Sequence, residues 1–111
     1  MPEISFPIEV VEGVPVVTAP EEIDITNAAG LQAALLEAAG LGRAMVVVDM
    51  SRTQFCDSAG LNALVAADRQ ARADDGEVRL VVVGEAVARV VALTGVDRVI
   101  PIYASLEDAL T

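Results

Sequence analysis

The stretch Met45-Val46-Val47-Val48-Asp49-Met50-Ser51-Arg52-Thr53-Gln54-Phe55-Cys56-Asp57-Ser58-Ala59-Gly60-Leu61 decides the fold. Its first four residues are apolar without a break and end at Asp49, the pattern of a strand covered on both faces. A polar connection, Ser51 to Gln54, follows. Beyond it Leu61, Leu64 and Val65 recur at helical spacing, so a helix begins at Asp57 or Ser58 and is finished by Asp74-Asp75-Gly76. A buried strand that passes into a helix and on to another buried strand favours a parallel, right-handed crossover.

The same alternation extends in both directions. Downstream, Arg79 to Val83 reads as a second buried strand before Gly84, and Val87, Val90 and Val91 line one face of a helix stopped by Gly95. Val99 to Tyr103 is a last short strand, placed at an edge by Pro101, and Ser105-Leu106-Glu107-Asp108 resembles a capping box that opens a terminal helix. Upstream, Ile4 to Val11 and Val14 to Thr18 form a hairpin across Glu12-Gly13. Pro15 makes the second strand either start after it or lie at an edge there. Thr26 and Asn27 supply N-cap chemistry for a helix with Leu31, Leu35 and Ala38 on one face and Gly40 at its end. The order is β-β-α-β-α-β-α-β-α. This predicts a single α/β domain over residues 1–111, a mixed and mostly parallel sheet with an N-terminal β-hairpin and four helices.

A chain of 111 residues is the size of one domain and buries roughly two thirds of its unfolded surface. Its apolar residues are mostly Ala, Val, Leu and Ile, with two Phe, one Tyr and no Trp, so few aromatic rings are left for stacking on bases. Seven arginines and no lysine stand against seventeen acidic residues, a net charge of −10 that repels phosphate backbones and anionic lipid surfaces. Direct nucleic-acid and membrane binding are therefore disfavoured. The single Cys56 cannot form an internal disulfide, and the absence of histidine removes common Cys/His zinc sites. Met1-Pro2-Glu3-Ile4 does not open a signal peptide, and no apolar run reaches the roughly 18 residues of a membrane span. A cytoplasmic protein is expected.

In a mostly parallel sheet, function gathers beyond the carboxyl ends of the strands. The loops Glu21 to Thr26, Ser51 to Ser58 and Gly84-Glu85 meet there and carry Asp24, Asp57 and Ser58 toward one rim. Only one of Asp57 and Ser58 can be the N-cap. The other side chain is free, and a helix start of positive dipole could hold a phosphate on Ser58. On residue types alone the plain N-cap is the stronger reading, since a Ser or Asp before an apolar helix is most often just that. Serine hydrolysis lacks a base, since histidine and lysine are absent and no Gly precedes Ser58 in a nucleophile elbow. Asp24, Asp49 and Asp57 could bind magnesium, but Asp49 is better explained as orienting the loop after it. Cys56 beside Phe55 reads as a small core residue. Gly40-Leu41-Gly42-Arg43 lacks the spacing and lysine of a phosphate-binding loop and reads as a helix-to-strand connection.

Val48-Asp49-Met50-Ser51 and Phe55-Cys56-Asp57-Ser58-Ala59-Gly60-Leu61 resemble the signature of the STAS domain in its stand-alone anti-sigma factor antagonist branch. Glu22-Ile23-Asp24 resembles that family's acidic-aliphatic-Asp step, and Leu93-Thr94-Gly95-Val96-Asp97-Arg98-Val99 its closing segment. The resemblance implies partner switching by a non-enzymatic protein without a cofactor. The unphosphorylated form binds an anti-sigma factor serine kinase and frees a sigma factor, the kinase phosphorylates Ser58, and a serine phosphatase reverses this. It also implies that Asp24, Asp57, Ser58, Ala59 and Gly60 face the partner, with Asp24 near Ser58. Glu21, where the family often has Gly, and Cys56, where it usually has an aliphatic residue or Met, depart from the pattern. A STAS scaffold or ligand-responsive interaction module that is never phosphorylated is the alternative, and a minor enzyme activity is a third.

Overall fold

In the computed structural model, residues 6–41 and 44–111 are described. Two strands, β1 (Ile8–Val11) and β2 (Val14–Thr18), open the fold, and β3 (Glu22–Ile23) leads into α1 (Ala28–Ala39). Then come β4 (Met45–Met50), β5 (Phe55–Cys56) and α2 (Ser58–Ala73). The chain closes with β6 (Glu77–Val82), α3 (Glu85–Thr94), a 3-10 turn at Val96–Arg98, β7 (Ile102–Tyr103) and α4 (Leu106–Ala109). The expected start of the first strand at Ile4, the Met1–Ile4 segment, and Gly42-Arg43 of the expected connection lie outside the described residues.

β1 and β2 pair antiparallel across Glu12 and Gly13, whose φ angles of 52° and 82° give the doubly positive two-residue turn that matches strand twist. β4 pairs parallel with β2 and with β6, and β7 adds to β6, so the strand order is β1-β2-β4-β6-β7. Pro15 lies inside β2, yet the register with β4 starts only at Val16↔Val47, so Pro15 meets no β4 partner. The proline is thus accommodated by an edge within an otherwise internal strand.

Val46, Val47 and Val48 are all buried, and they divide between two faces. Val46 and Val48 join Val17, Val78, Leu80 and Val82 against Leu31 and Leu35 of α1, Leu61 and Leu64 of α2, and Val87 and Val91 of α3. Val47 joins Val14, Val16 and Val81 under Ala109, with Leu106 and Leu110 of the C-terminal helix region packed alongside. Full burial of each such side chain stabilises by about 1.5–3 kcal/mol over leaving it exposed.

Several strand limits differ from expectation: β1 starts at Ile8, β4 runs on to Met50, β6 ends at Val82, and two further limits have a visible setting. β6 starts at Glu77, where its ladder with β4 begins opposite Met45, and Arg79 is held within it: its Nε donates to Glu77 at 2.8 Å, Nη1 donates to the Ala109 carbonyl at 2.9 Å, and the guanidinium lies 5.4 Å from the Tyr103 ring centre. The last strand is two residues long, because Val96–Arg98 closes a 3-10 turn and Pro101 precedes the pairing. At α3, Gly95 adopts φ 82°, the left-handed stop that glycine favours. Ser105 caps α4 by accepting from the Asp108 amide at 3.1 Å.

Candidate functional site

Two segments that read as loops pair as short parallel strands. β3 and β5 are in register as Glu22↔Phe55 and Ile23↔Cys56, apart from the main sheet. The pairing is extended by Gln54 N donating to Glu21 O at 2.7 Å and Asp57 N donating to Ile23 O at 3.0 Å. Thr53, fully buried, donates its hydroxyl to Pro20 O at 2.8 Å and ties the two approach segments together. Asp24 and Asp57 therefore leave the paired strands side by side, at the end where α1 and α2 begin.

Asp57 takes the N-cap of α2. Its Oδ1 accepts from Ala59 N at 2.9 Å and Gly60 N at 3.1 Å. Ser58 is left as the first helical residue, exposed, with its hydroxyl outside the cap. The carboxylate of Asp57 already occupies two of the helix-end amides, those of Ala59 and Gly60.

Gly60 is buried, and a Cβ there would lie 2.6 Å from Ile23 Cγ2 and 2.7 Å from Cys56 Sγ. The glycine thus lets α2 sit directly on the β3–β5 pair and sets the height of Ser58 above it. Gly84 plays a lesser part at the same rim, where a Cβ would stand 3.0 Å from the Thr53 carbonyl.

Asn27 does not cap α1 with its side chain. Its Oδ1 accepts from Asp24 N and its Nδ2 donates to Glu22 O, both at 2.9 Å, so the amide clasps the end of β3. The backbone carbonyl of Asp24 receives the Ala28 amide at 2.9 Å instead. Residue type alone suggests capping at Asn27; the clasp depends on the return of the chain from β3, which no local pattern records.

The Asp24 carboxylate is directed at Thr26, accepting from its hydroxyl and, at 2.8 Å, from its amide. These hydrogen bonds hold its pKa below the ordinary carboxylate value. Asp24 is thus near the rim as expected, but the hydrogen bonds of its carboxylate run to Thr26 rather than to Ser58. Asp49 orients the next loop by accepting from Ser51 N at 3.0 Å. Burial, with a smaller contribution from the Asp57 charge, pushes the Cys56 thiol up to about 11, so it stays protonated and unreactive at neutral pH.

Around these groups the rim exposes apolar side chains: Ile25 beyond β3, Phe55 in β5 and Val83 beyond β6 are 78%, 50% and 57% exposed. Glu21 just before β3, Glu22 at its start and Glu85 beyond β6 are exposed as well. Apolar residues inside an acidic border form a surface suited to protein contact. Among the described residues no helix is long and apolar enough to cross a membrane.

A small α/β domain with an exposed serine at a helix start, set on a parallel strand pair, is the class defined by this geometry. The STAS domain profile matches residues 5–109, and the chain belongs to that family. It is 31% identical over 99 residues to the anti-sigma-F factor antagonist RsfB of Mycobacterium tuberculosis, covering 89% of this chain and 80% of that protein. The crystal structure of an anti-sigma factor antagonist from Mycobacterium paratuberculosis superposes with a TM-score of 0.86 at 33% identity, covering 96% of this chain and 90% of that one. The Bacillus cell fate determinant SpoIIAA in its phosphorylated form shares the fold, with a TM-score of 0.70 at 21% identity and 96% coverage of both chains.

Proposed function

We propose that this protein is an anti-sigma factor antagonist whose unphosphorylated form binds an anti-sigma factor kinase through the Ser58 rim and so releases a sigma factor. Phosphorylation of Ser58 by the kinase ends the complex, and a serine phosphatase restores it. The observation that carries this reading is the division of labour at the start of α2: Asp57 caps the helix, so the adjacent Ser58 is exposed and structurally unengaged. Both mycobacterial relatives are anti-sigma factor antagonists, and SpoIIAA, a protein of the same fold, occurs in a phosphorylated form, which supports the reading.

Ile25, Phe55 and Val83 supply apolar contact, Asp57 and Ala59 flank Ser58 in the chain, and Asp24 leaves β3 beside Asp57. Gly60, being buried, acts by seating the helix. Phosphoserine adds a charge of about −1.5 to −2. Next to Asp57 and Asp24 that charge repels a partner surface fitted to a neutral hydroxyl. A loss of about 2 kcal/mol weakens the complex roughly thirtyfold with no refolding.

Incubation with ATP and the cognate anti-sigma factor kinase, followed by phosphate mapping by mass spectrometry, tests the reading. Phosphate at Ser58 is expected, together with a stable kinase complex for Ser58→Ala. No phosphate at Ser58 and no complex would sink it. A complex that forms equally well with Ser58→Ala and Ser58→Asp would favour a constitutive interaction module.

A further inference from the structure

Ser58, Asn62, Val65, Arg69 and Arg72 of α2 fall within about 40° of one line along the helix surface at 3.6 residues per turn. All are exposed except the half-buried Val65. About 20 Å from Ser58, at 1.5 Å per residue, the line reaches the C-terminal end of α2. An open cleft of about 380 Å³ lies there, lined by Val65, Asp68, Arg69, Arg72, Arg98 and Val99.

Three of the seven arginines of this acidic chain meet in that cleft. Asp68, the acidic residue in its lining, is buried and paired with Arg72 Nε at 3.0 Å. Arg72 Nη2 also donates to Val99 O at 2.9 Å, which fixes the guanidinium against the 3-10 turn. Arg69 and Arg98 are exposed and enter no salt bridge among the described residues. Three guanidiniums against one carboxylate leave a net of two positive charges in the cleft. Like charges grouped in this way repel, and an anionic occupant relieves the repulsion.

We propose that the cleft docks an acidic segment of a protein partner, and that the face of α2 from Ser58 to Arg72 is one continuous interface. The apolar walls favour a polypeptide over a free anion: Val99 is 48% exposed beside the arginines, and Val65 lies between them and Ser58. The interface has two signs of charge. Its Ser58 end is acidic and is switched off by added negative charge, while its Arg69–Arg98 end attracts negative charge and anchors the partner. The identification of that partner as the anti-sigma factor kinase rests on the proposed function; the preference for acidic chemistry does not.

The test measures binding of the cognate anti-sigma factor kinase to the wild type and to Arg69→Glu/Arg98→Glu at low and high salt. The double variant is expected to bind about tenfold more weakly and with a flatter salt dependence. Both arginines are exposed, so an unchanged circular dichroism spectrum and melting temperature confirm that the variant is folded. Equal binding by a folded variant overturns the inference while leaving the Ser58 reading intact. If the wild type fails to bind the kinase, that reading fails, and the cleft is tested separately by titrating the isotopically labelled protein with a soluble peptide of Glu and Leu residues. Amide shifts at Arg69, Arg72, Arg98 and Val99, absent with inorganic phosphate at equal concentration, support the inference. No shifts, or the same shifts with phosphate, overturn it.

Discussion

The five-stranded sheet and the two-residue β3–β5 pair are held by different forces. The sheet is fastened by apolar burial on both faces, with Val17, Val47, Val48 and Leu80 completely enclosed. The pair at the rim is fastened by backbone hydrogen bonds, the Asn27 clasp and a helix approach that requires a missing Cβ. The first arrangement tolerates changes at its edges. The second depends on atoms placed to within a few tenths of an ångström, and it carries the serine. A partner-facing site can thus be tuned locally on a scaffold whose stability lies elsewhere.

Mutations should separate the two regions. Leu64→Ala, in the enclosed face of α2, is expected to cost about 2–5 kcal/mol in urea unfolding, the usual range for a large core deletion. Gly60→Ala should cost about 1–3 kcal/mol, because Ile23 and Cys56 must move aside. Its amide-exchange losses should concentrate at Asp57, Ala59 and Gly60, whereas those of Leu64→Ala should spread through the sheet. Uniform loss in both variants would erase the distinction. Asp57→Ala removes a cap accepting from two amides and should cost about 1 kcal/mol. Ser58→Ala should change stability by no more than about 0.5 kcal/mol, as befits an exposed side chain outside the cap.

Acid and base act on different groups at the rim. Burial raises the Cys56 thiol from the ordinary thiol value of 9.0 to about 11 in the folded protein. The protonated thiol is therefore favoured by folding; this stabilisation is complete below pH 9 and is lost as pH rises toward 11. The wild type should lose stability relative to Cys56→Ala across that window, measured by urea midpoints. Asp24 has the opposite sign. Its lowered pKa contributes stability above the ordinary carboxylate range that disappears as pH falls through the folded value.

Most of the scaffold is legible in the sequence because its signals are long. Met45 to Val48 announces a strand buried on both faces, and Leu61, Leu64 and Val65 announce a helix, since several residues repeat the same period. β3 and β5 are two residues each, too short to show a period, and so read as loops. The choice between Asp57 and Ser58 as N-cap depended on side-chain geometry that residue type leaves open. Gly60 is visible as part of a family signature, but its physical reason, the approach of Ile23 and Cys56, exists only in three dimensions. The arginine cleft is invisible in the sequence for the same reason: Arg98 comes from the 3-10 turn, 26 positions after Arg72, and the overall charge of −10 conceals it.

The most direct test of the switch is the affinity of the anti-sigma factor kinase for Ser58→Ala and Ser58→Asp, measured by calorimetry on folded variants. Ser58→Ala should retain wild-type affinity, and Ser58→Asp should bind at least about thirtyfold more weakly, a difference of about 2 kcal/mol. Equal affinity for the two variants would contradict the assignment of Ser58 as the residue that controls the complex.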